Sequence, residues 1–473
     1  MKKLFYSILV VLSTWSCNSW LDVQPYDQVA ESVAFSSFSG FENALNGIYI
    51  ELNSTSLYGQ YLSCEMIELM AQRYNANSST AYYYDLQQYS YTESSCKNRF
   101  ASIWSKAYNL IANTNLLLKN CEEYNSVLSE EYYKLIKGEA YALRALLHFD
   151  IFRLWGPSYV IRESDNVLLP YYKQFTLDER PYCSPEDFMK NVVEDLKMAV
   201  SLLENDPVRT EGGRNEGIYT FTSWRNLRLN YYAVQLLLAR AELYRGEKEA
   251  ALRAAREVID VQEQWFPWIK RESISSGRDD ADRVFYSEIL FGLQNSSVST
   301  LYSGFFNGNN LSSEALLAPL SEQIYKIFNN NWDDYRYEAY LKTSEIINGA
   351  SYNFFEKYKE TTDTVAGTII PMLRVSEAYY IAAECEIEAT DGVKWLNRVL
   401  SHRGVQEISA NQLATTLELE YIREFFGEGQ LFFYYKRLNK SAIPAANDPT
   451  YSRMIDMTNK YRIPIPEDET KYN

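Results

Sequence analysis

The sequence predicts a mainly α fold: a divergent array of paired helices, filled out with large loop-rich inserts and a few short strands. Three segments predict it. From Leu135 to Trp155 the apolar residues Ile136, Ala140, Leu143, Leu147, Ile151 and Leu154 step by four, three, four, four and three, one face of an α-helix. That helix should stop at Gly156-Pro157, because glycine tolerates a left-handed φ and proline cannot continue the hydrogen-bond ladder. A second helix should open at Ser184-Pro185-Glu186-Asp187, with Ser as cap, Pro in the first turn and acids at the positive end of the helix dipole. It runs through Phe188, Val192, Leu196 and Val200 to about Glu204. The third segment, residues 231–260, carries Ala239, Ala241, Ala250 and Ala254 where helices must approach closely, and Tyr244 just before a turn at Gly246. This is the helix–turn–helix grammar of tetratricopeptide repeats. It recurs over 102–155 and 373–403 at irregular periods, so the array is divergent rather than a regular solenoid.

The chain opens on Met1-Lys2-Lys3, then an apolar run from Leu4 to Leu12, then Ser13-Thr14-Trp15-Ser16-Cys17. A short basic start and a nine-residue apolar stretch predict a secretory signal peptide over residues 1–16, too short to span a bilayer. Ser16 before Cys17 points to lipoprotein processing, with Cys17 the lipidated first residue of the mature chain. Thr14 and Trp15 depart from the usual lipoprotein signal, and an ordinary cleaved signal is the alternative. Removing Lys2 and Lys3 moves the net charge from −16 to −18.

Residues 17–473 are expected to form one domain. Its repeat scaffold falls at about 102–262 and 372–436, and the ligand-side inserts at about 51–100 and 263–370. Short strands are expected at Glu288–Leu293 and near Ile369–Pro371. Inserts of this size in a repetitive scaffold are where function usually sits.

Composition removes several classes. With 46 basic against 62 acidic residues, the chain lacks the Lys/Arg surplus that general nucleic-acid binding needs. Two histidines and six cysteines leave little for a His-rich metal site or a disulfide scaffold, and no metal or cofactor is expected. Cys64, Cys96, Cys121, Cys183 and Cys385 follow Cys17; Cys64 with Cys96 is one conceivable bridge. No G-x-S-x-G, H-E-x-x-H, P-loop or G-x-G-x-x-G occurs, and no catalytic residue is assigned. His148 reads as a packed helix residue and His402 as a helix-end donor. A glycosidase would need paired carboxylates. Glu65 and Glu68 read as a solvated helix face, while Asp279-Asp280 and Asp333-Asp334 read as loop acids. Asp279-Asp280-Ala281-Asp282 offers hard oxygens for Ca²⁺ but lacks an EF-hand pattern.

Aromatic residues stand out: 40 Tyr, 22 Phe and 9 Trp make 15% of the chain. Many cluster in polar loops, as in Tyr82-Tyr83-Tyr84 with Tyr89 and Tyr91, then Trp265-Phe266-Pro267-Trp268. Further groups are Tyr302 with Phe305 and Phe306, and Trp332 with Tyr335, Tyr337 and Tyr340. A flat ring beside Asn, Gln or Arg suits a sugar, whose CH groups stack on the π face while its hydroxyls take hydrogen bonds. The same kit suits a peptide, and rings also pack loops onto helices.

Seven motifs occur in one order. They are Cys17-Asn18-Ser19-Trp20-Leu21-Asp22-Val23-Gln24-Pro25; residues 41–49; WSKAYNLIANTN at 104–115; GEAYALRALLHFDIFRLWGP at 138–157; Ser287 to Phe291; EYIREFFGEGQLFFYYKR at 420–437; and Pro464-Ile465-Pro466. Together they resemble the SusD/RagB family of outer-membrane nutrient-binding lipoproteins, across essentially all of 17–473. The match at 420–437 rests on Glu420, Glu424, Glu428, Gly429, Phe433 and Arg437, while Leu431 and Tyr434 replace the family's usual Arg and Asp. The resemblance implies a SusD-like helical array, a surface lipoprotein at the outer membrane, and no catalysis. It implies a SusC/RagA-type TonB-dependent transporter as partner, with the chain capturing an oligosaccharide and delivering it to the pore. It also places the ligand side at about 72–91 and 265–340. Within those segments Arg73, Tyr82, Tyr84, Tyr302 and Phe305 are the candidate ligand-binding residues. A peptide-binding member of the family and a protein-binding repeat scaffold are the alternatives, with a secreted glycoside hydrolase behind them.

Overall fold

The computed structural model describes residues 31–76, 80, 82–165, 167–176, 181–214, 220–275 and 277–470. The signal peptide, Cys17 and the opening motif lie outside the described residues.

Ten helices carry the fold: α1 (Phe38–Leu52), α2 (Ser94–Glu123), α3 (Glu130–Trp155), α4 (Pro185–Leu202), α5 (Tyr231–Arg245), α6 (Lys248–Ile259), α7 (Val375–Cys385), α8 (Ala389–Ser401), α9 (Leu413–Glu424) and α10 (Leu431–Arg437). From α2 to α9 each packs against the next in chain order, giving the expected repeat array. Local chemistry sets the boundaries. Ser129, Ser184 and Asn230 cap α3, α4 and α5 by accepting the backbone N–H of Tyr132, Asp187 and Ala233. Gly246 turns α5 into α6 with φ +84°, a left-handed conformation that a glycine adopts without strain. α3 and α4 approach so closely that a Cβ on Gly138 would lie 2.7 Å from Leu203 Cγ.

α3 stops at Gly156 as expected, but the reason differs. Gly156 is extended, with φ −69° and ψ 169°. Its Cβ would lie 2.7 Å from the Phe152 carbonyl oxygen, so the constraint is close approach and not handedness. The neighbouring Trp155 indole donates to the Pro464 carbonyl at 3.0 Å, and Ile463 N–H donates to Leu154 at 3.2 Å. The motif at 138–157 therefore docks onto the Pro-Ile-Pro motif near the other end of the chain.

Among the described residues, eight short strands pair two by two. β1 (Leu169–Pro170) joins β2 (Tyr182–Cys183), and β7 (Ala442–Pro444) joins β8 (Met454–Asp456). The two strands expected from sequence, β3 (Ile289–Gln294) and β6 (Ile369–Arg374), are antiparallel partners. They close the 74-residue excursion between them onto the scaffold, beside α5 and α7. Inside that excursion β4 (Ser344–Ile347) and β5 (Ala350–Asn353) form a hairpin whose turn, Asn348-Gly349, has φ +50° and +83°.

Two sequence expectations are overturned, and one open possibility is decided. Glu65 and Glu68 are fully buried rather than solvated. Glu65 pairs with Arg99 at 3.2 Å, and Glu68 accepts the N–H groups of Gly427 and Gly429 at 3.1 and 2.8 Å. Burial pushes the Glu68 carboxyl up to about 7, against the pull of Arg73. Asp334 is no loop acid: it is 1% exposed, caps the short helix Tyr335–Tyr340 and grips Arg336 at 2.7 Å. Cys64 and Cys96 are both buried and unbridged.

Candidate ligand-binding face

The acids of the 420–437 motif are fully interior. Glu420 holds Arg336 at 2.6 Å, Glu424 holds Arg403 at 2.7 Å, and Glu428 holds Lys357 at 2.6 Å and Arg374 at 2.9 Å. Burial works to raise the Glu424 carboxyl, but Arg403 and Arg374 outweigh it and hold the group well below the usual carboxylate range. A saturated network of this kind is a scaffold element, not acid–base machinery. Its reach is what matters: it joins α9 to three parts of the insert, at Glu288, Arg336 and Lys357.

The insert is tied at the same time to the chain following residue 72. Asn75 N–H donates to the Ala318 carbonyl at 2.9 Å, and Tyr82 N–H donates to the Glu314 carbonyl at 3.1 Å. Leu317 N–H donates to Phe305 at 2.8 Å, and the Asn75 amide reaches the Tyr352 hydroxyl at 3.2 Å. The two segments expected on the ligand side thus meet.

Their rings form a row. Tyr82 stands 70% exposed. It meets Tyr83 edge-on at 6.4 Å, and Tyr83 meets Phe305 edge-on at 6.4 Å. Phe305 rests on Phe306 at 6.1 Å, and the buried Phe306 packs against Tyr74 and Phe355. The outer rings are therefore propped from beneath by core rings. Tyr302 and Phe305 are half-buried on one π-helical turn, Tyr302–Phe306. Burial and the Glu356 carboxylate push the Tyr302 hydroxyl up to about 12, with Arg283 opposing. Tyr84 is half-buried at the start of the turn Tyr84–Gln87.

Arg73 stands apart. It is 4% exposed and its guanidinium donates to the Ile422 carbonyl at 2.8 Å while lying 4.0 Å over the Phe426 ring. Its position joins the start of the ligand-side segment to α9, in the core. Arg283 is the residue the sequence reading missed. It is 6% exposed, it neighbours Tyr302 and Glu356, and its Nε and Nη1 have no hydrogen-bond partner. Nothing in its sequence context, Asp279-Asp280-Ala281-Asp282-Arg283, marks it. Asp282 itself accepts the N–H groups of Val284 and Tyr286, and no His/Cys/Asp/Glu cluster able to hold a metal occurs among the described residues.

A helical-repeat scaffold carrying an insert-built aromatic face is thus the class of protein the structure defines. Residues 19–212 match the SusD-like family model described as starch-binding, associating with the outer membrane. A SusD-like protein from Formosa agariphila is 27% identical over 201 residues, covering 41% of this chain and 36% of that relative. The match thus spans about a third of that relative's length. A SusD superfamily protein from Bacteroides thetaiotaomicron VPI-5482 superposes with a TM-score of 0.74 at 22% identity, over 92% of this chain and 98% of that one. A SusD-like carbohydrate binding protein from Bacteroides vulgatus ATCC 8482 gives 0.67 at 20% identity, over 92% and 96%. Residues 19–212 thus resemble the SusD-like family, and the solved structures share the fold of the chain. No helix among the described residues is long and apolar enough to cross a membrane.

Proposed function

We propose that this chain is a nutrient-binding lipoprotein of the outer membrane that captures an oligosaccharide at the Tyr82–Phe305 face. It then hands the ligand to a SusC/RagA-type TonB-dependent transporter, without turning it over. The observation that carries the reading is the hydrogen bonding of Asn75 and Tyr82 to Ala318 and Glu314, beside which Tyr82, Tyr83 and Phe305 form one propped row, with Tyr302 on the same turn as Phe305. Ring faces on a rigid base bind sugar CH groups at low entropic cost. The likeness of residues 19–212 to a family model described as starch-binding supports the ligand class, as does the shared fold with a structure described as carbohydrate binding. Lipidation at Cys17 supplies the anchor in this reading, and the stacked helices α2 to α9 supply a broad surface for a permanent protein partner.

Two measurements test it. Calorimetric titration of the purified chain with a panel of oligosaccharides and of peptides should give heat with an oligosaccharide. Heat from peptides alone would keep the delivery role and change the ligand class, and pull-down of a transporter with no ligand heat would favour the scaffold reading. Cell fractionation should find the wild-type chain in the outer membrane and Cys17→Ala released from it; a wild type that is already free in the periplasm would sink the anchor.

A further inference from the structure

We propose that the ligand taken at the Tyr82–Phe305 face is an acidic oligosaccharide, and that the Arg283 guanidinium receives its oxyanion, a uronate carboxylate or a sulfate ester. This inference rests on the reading of that face as the ligand site, and it narrows the ligand to one chemistry. It starts from a missing partner. Every other buried arginine among the described residues is ion-paired, as Arg144 is with Asp195, Arg240 with Glu377 and Arg403 with Glu288. Arg283 is 6% exposed and makes neither an ion pair nor a side-chain hydrogen bond with any described residue.

Its surroundings leave the charge unmet. Arg283 neighbours Tyr302, the ring that shares a turn with Phe305. Two carboxylates are near, and both are spent. Glu356 takes the Lys359 ammonium at 2.7 Å on one oxygen and the Thr343 hydroxyl at 3.0 Å on the other. Asp282 accepts the N–H groups of Val284 and Tyr286 at 3.1 and 2.8 Å. Burial pulls the Arg283 guanidinium below its ordinary range, with Glu356 and Tyr302 opposing. A guanidinium nevertheless keeps its proton at neutral pH, so the fold holds an uncompensated cation beside the ring face. Nε and Nη1 are enclosed without a partner, which leaves Nη2 as the donor that a ligand reaches.

That cation separates acidic sugars from neutral ones. A neutral sugar stacks on Tyr82 and Phe305 but leaves Arg283 unpaired. An acidic residue in the same oligosaccharide stacks equally and also brings the missing charge, in a charge-assisted hydrogen bond that is stronger than a neutral one. The net charge of −16 repels an anion at long range. Salt screens exposed charges beyond about 8 Å at physiological ionic strength, so the groups close to the ligand decide, and the acids close to Arg283 already have partners.

Calorimetric titration of the purified full chain with two matched pairs of probes tests this. Tetragalacturonic acid against its fully methyl-esterified form reads a carboxylate, and the κ-carrageenan tetrasaccharide against its desulfated form reads a sulfate ester. In at least one pair the acidic member should bind about tenfold or more tightly than its neutral counterpart. Raising sodium chloride from about 50 to 500 mM should remove most of that advantage. Arg283→Gln should bring the acidic member down to the affinity of the neutral one. It should also leave the unfolding midpoint at or above that of wild type, because it removes a buried charge that has no partner. Should Arg283→Gln lose the fold, Arg283→Lys takes its place, and a single ammonium instead of the planar fork should cut the advantage severalfold. Equal affinity within both pairs would overturn the proposal and leave the proposed function standing, as would an acid preference that survives these variants. Silence from all four probes, with heat from maltotetraose or another neutral oligosaccharide, would likewise overturn this proposal alone. Silence from every sugar would overturn the proposed function with it.

Discussion

Arg403 donates to Glu288 at 2.8 Å and to Glu424 at 2.7 Å, so a single guanidinium just beyond α8 joins the start of the insert's sheet to α9. All three side chains are fully buried. The contact locks a loop-rich insert to a helical scaffold by charge, where apolar packing alone would fix its orientation less specifically.

Removing one partner of that junction strands the others. Arg403→Met is expected to destabilise the fold by about 3–5 kcal/mol, because Glu288 loses its cation and Glu424 loses one of its own in a dry interior. Urea unfolding of wild type and variant reads the difference directly. A loss under about 1 kcal/mol would mean that the network is no more than a surface-grade ion pair.

Gly429 carries a separate constraint. Its φ is +72°, its N–H donates to Glu68, and a Cβ there would overlap the Leu62 carbonyl oxygen. Gly429→Ala should therefore cost at least about 1–3 kcal/mol, from backbone strain with steric displacement added. An unchanged unfolding midpoint would show that the turn at 427–429 relaxes freely.

Buried groups set the acid dependence, and they do not act in one direction: the Glu68 carboxyl, held up to about 7, takes a proton in the folded chain first and adds stability as pH falls from about 7 to 4.5, while His148 and the motif acids lose it. His148 is fully buried and stacks on Tyr171 at 3.8 Å. It takes the Tyr172 N–H on Nε2, so it donates from Nδ1 to the Arg144 carbonyl as a neutral ring. Burial holds it well below the ordinary imidazole range. The unfolded chain gains a proton near pH 6.5 that the folded chain refuses, so its contribution is full above about pH 6.5 and drops as pH falls below it. Glu420 and Glu424 add a second loss below about pH 4.5. Burial works to raise both, but Arg336 for Glu420 and Arg403 with Arg374 for Glu424 win and lower them. Between pH 7.5 and 5 the urea midpoint of His148→Gln should rise relative to wild type as pH falls, because the His148 loss is gone and the Glu68 gain remains; a slope identical to wild type would remove His148 as a contributor.

Arg73 and Tyr82 should separate cleanly. Arg73→Met should lower the unfolding midpoint, because the Ile422 carbonyl loses its donor and Glu68 its nearby cation. Tyr82→Ala should leave the midpoint within about 0.5 kcal/mol of wild type, since the ring is 70% exposed. The same pair read by ligand titration gives the reverse order for Tyr82.

Much of the scaffold was legible in the sequence because helix periodicity and capping are local. Ser184 with Pro185, Gly246 and the 135–155 stripe each announce an element through residues within a few positions of one another. The β3 and β6 strands were also legible, but not their pairing across 74 residues. What stayed hidden depends on long-range burial. Glu65 and Glu68 carry the spacing of a solvated face, and only the approach of Gly427 and Gly429 from the far end of the chain shows them to be interior. Arg73 has the composition of a ligand donor, and Ile422 and Phe426 claim it. Arg283 carries no local signal at all. Tyr82, Tyr302 and Phe305 could be nominated because ring clusters in polar loops are unusual, but the meeting of Tyr82 with Tyr83 and Phe305 depends on the hydrogen bonds of Asn75 and Tyr82 to Ala318 and Glu314.

The most direct test of the account is calorimetric titration of an oligosaccharide into wild type and into the double variant Tyr82→Ala, Phe305→Ala. Loss of two stacking faces at about 0.5–1.5 kcal/mol each predicts an affinity roughly 5- to 150-fold weaker, with the unfolding midpoint little changed by Tyr82→Ala and lowered modestly by Phe305→Ala. Undiminished binding by the double variant would contradict the account, because the ligand would then lie elsewhere and the row of rings would be packing alone.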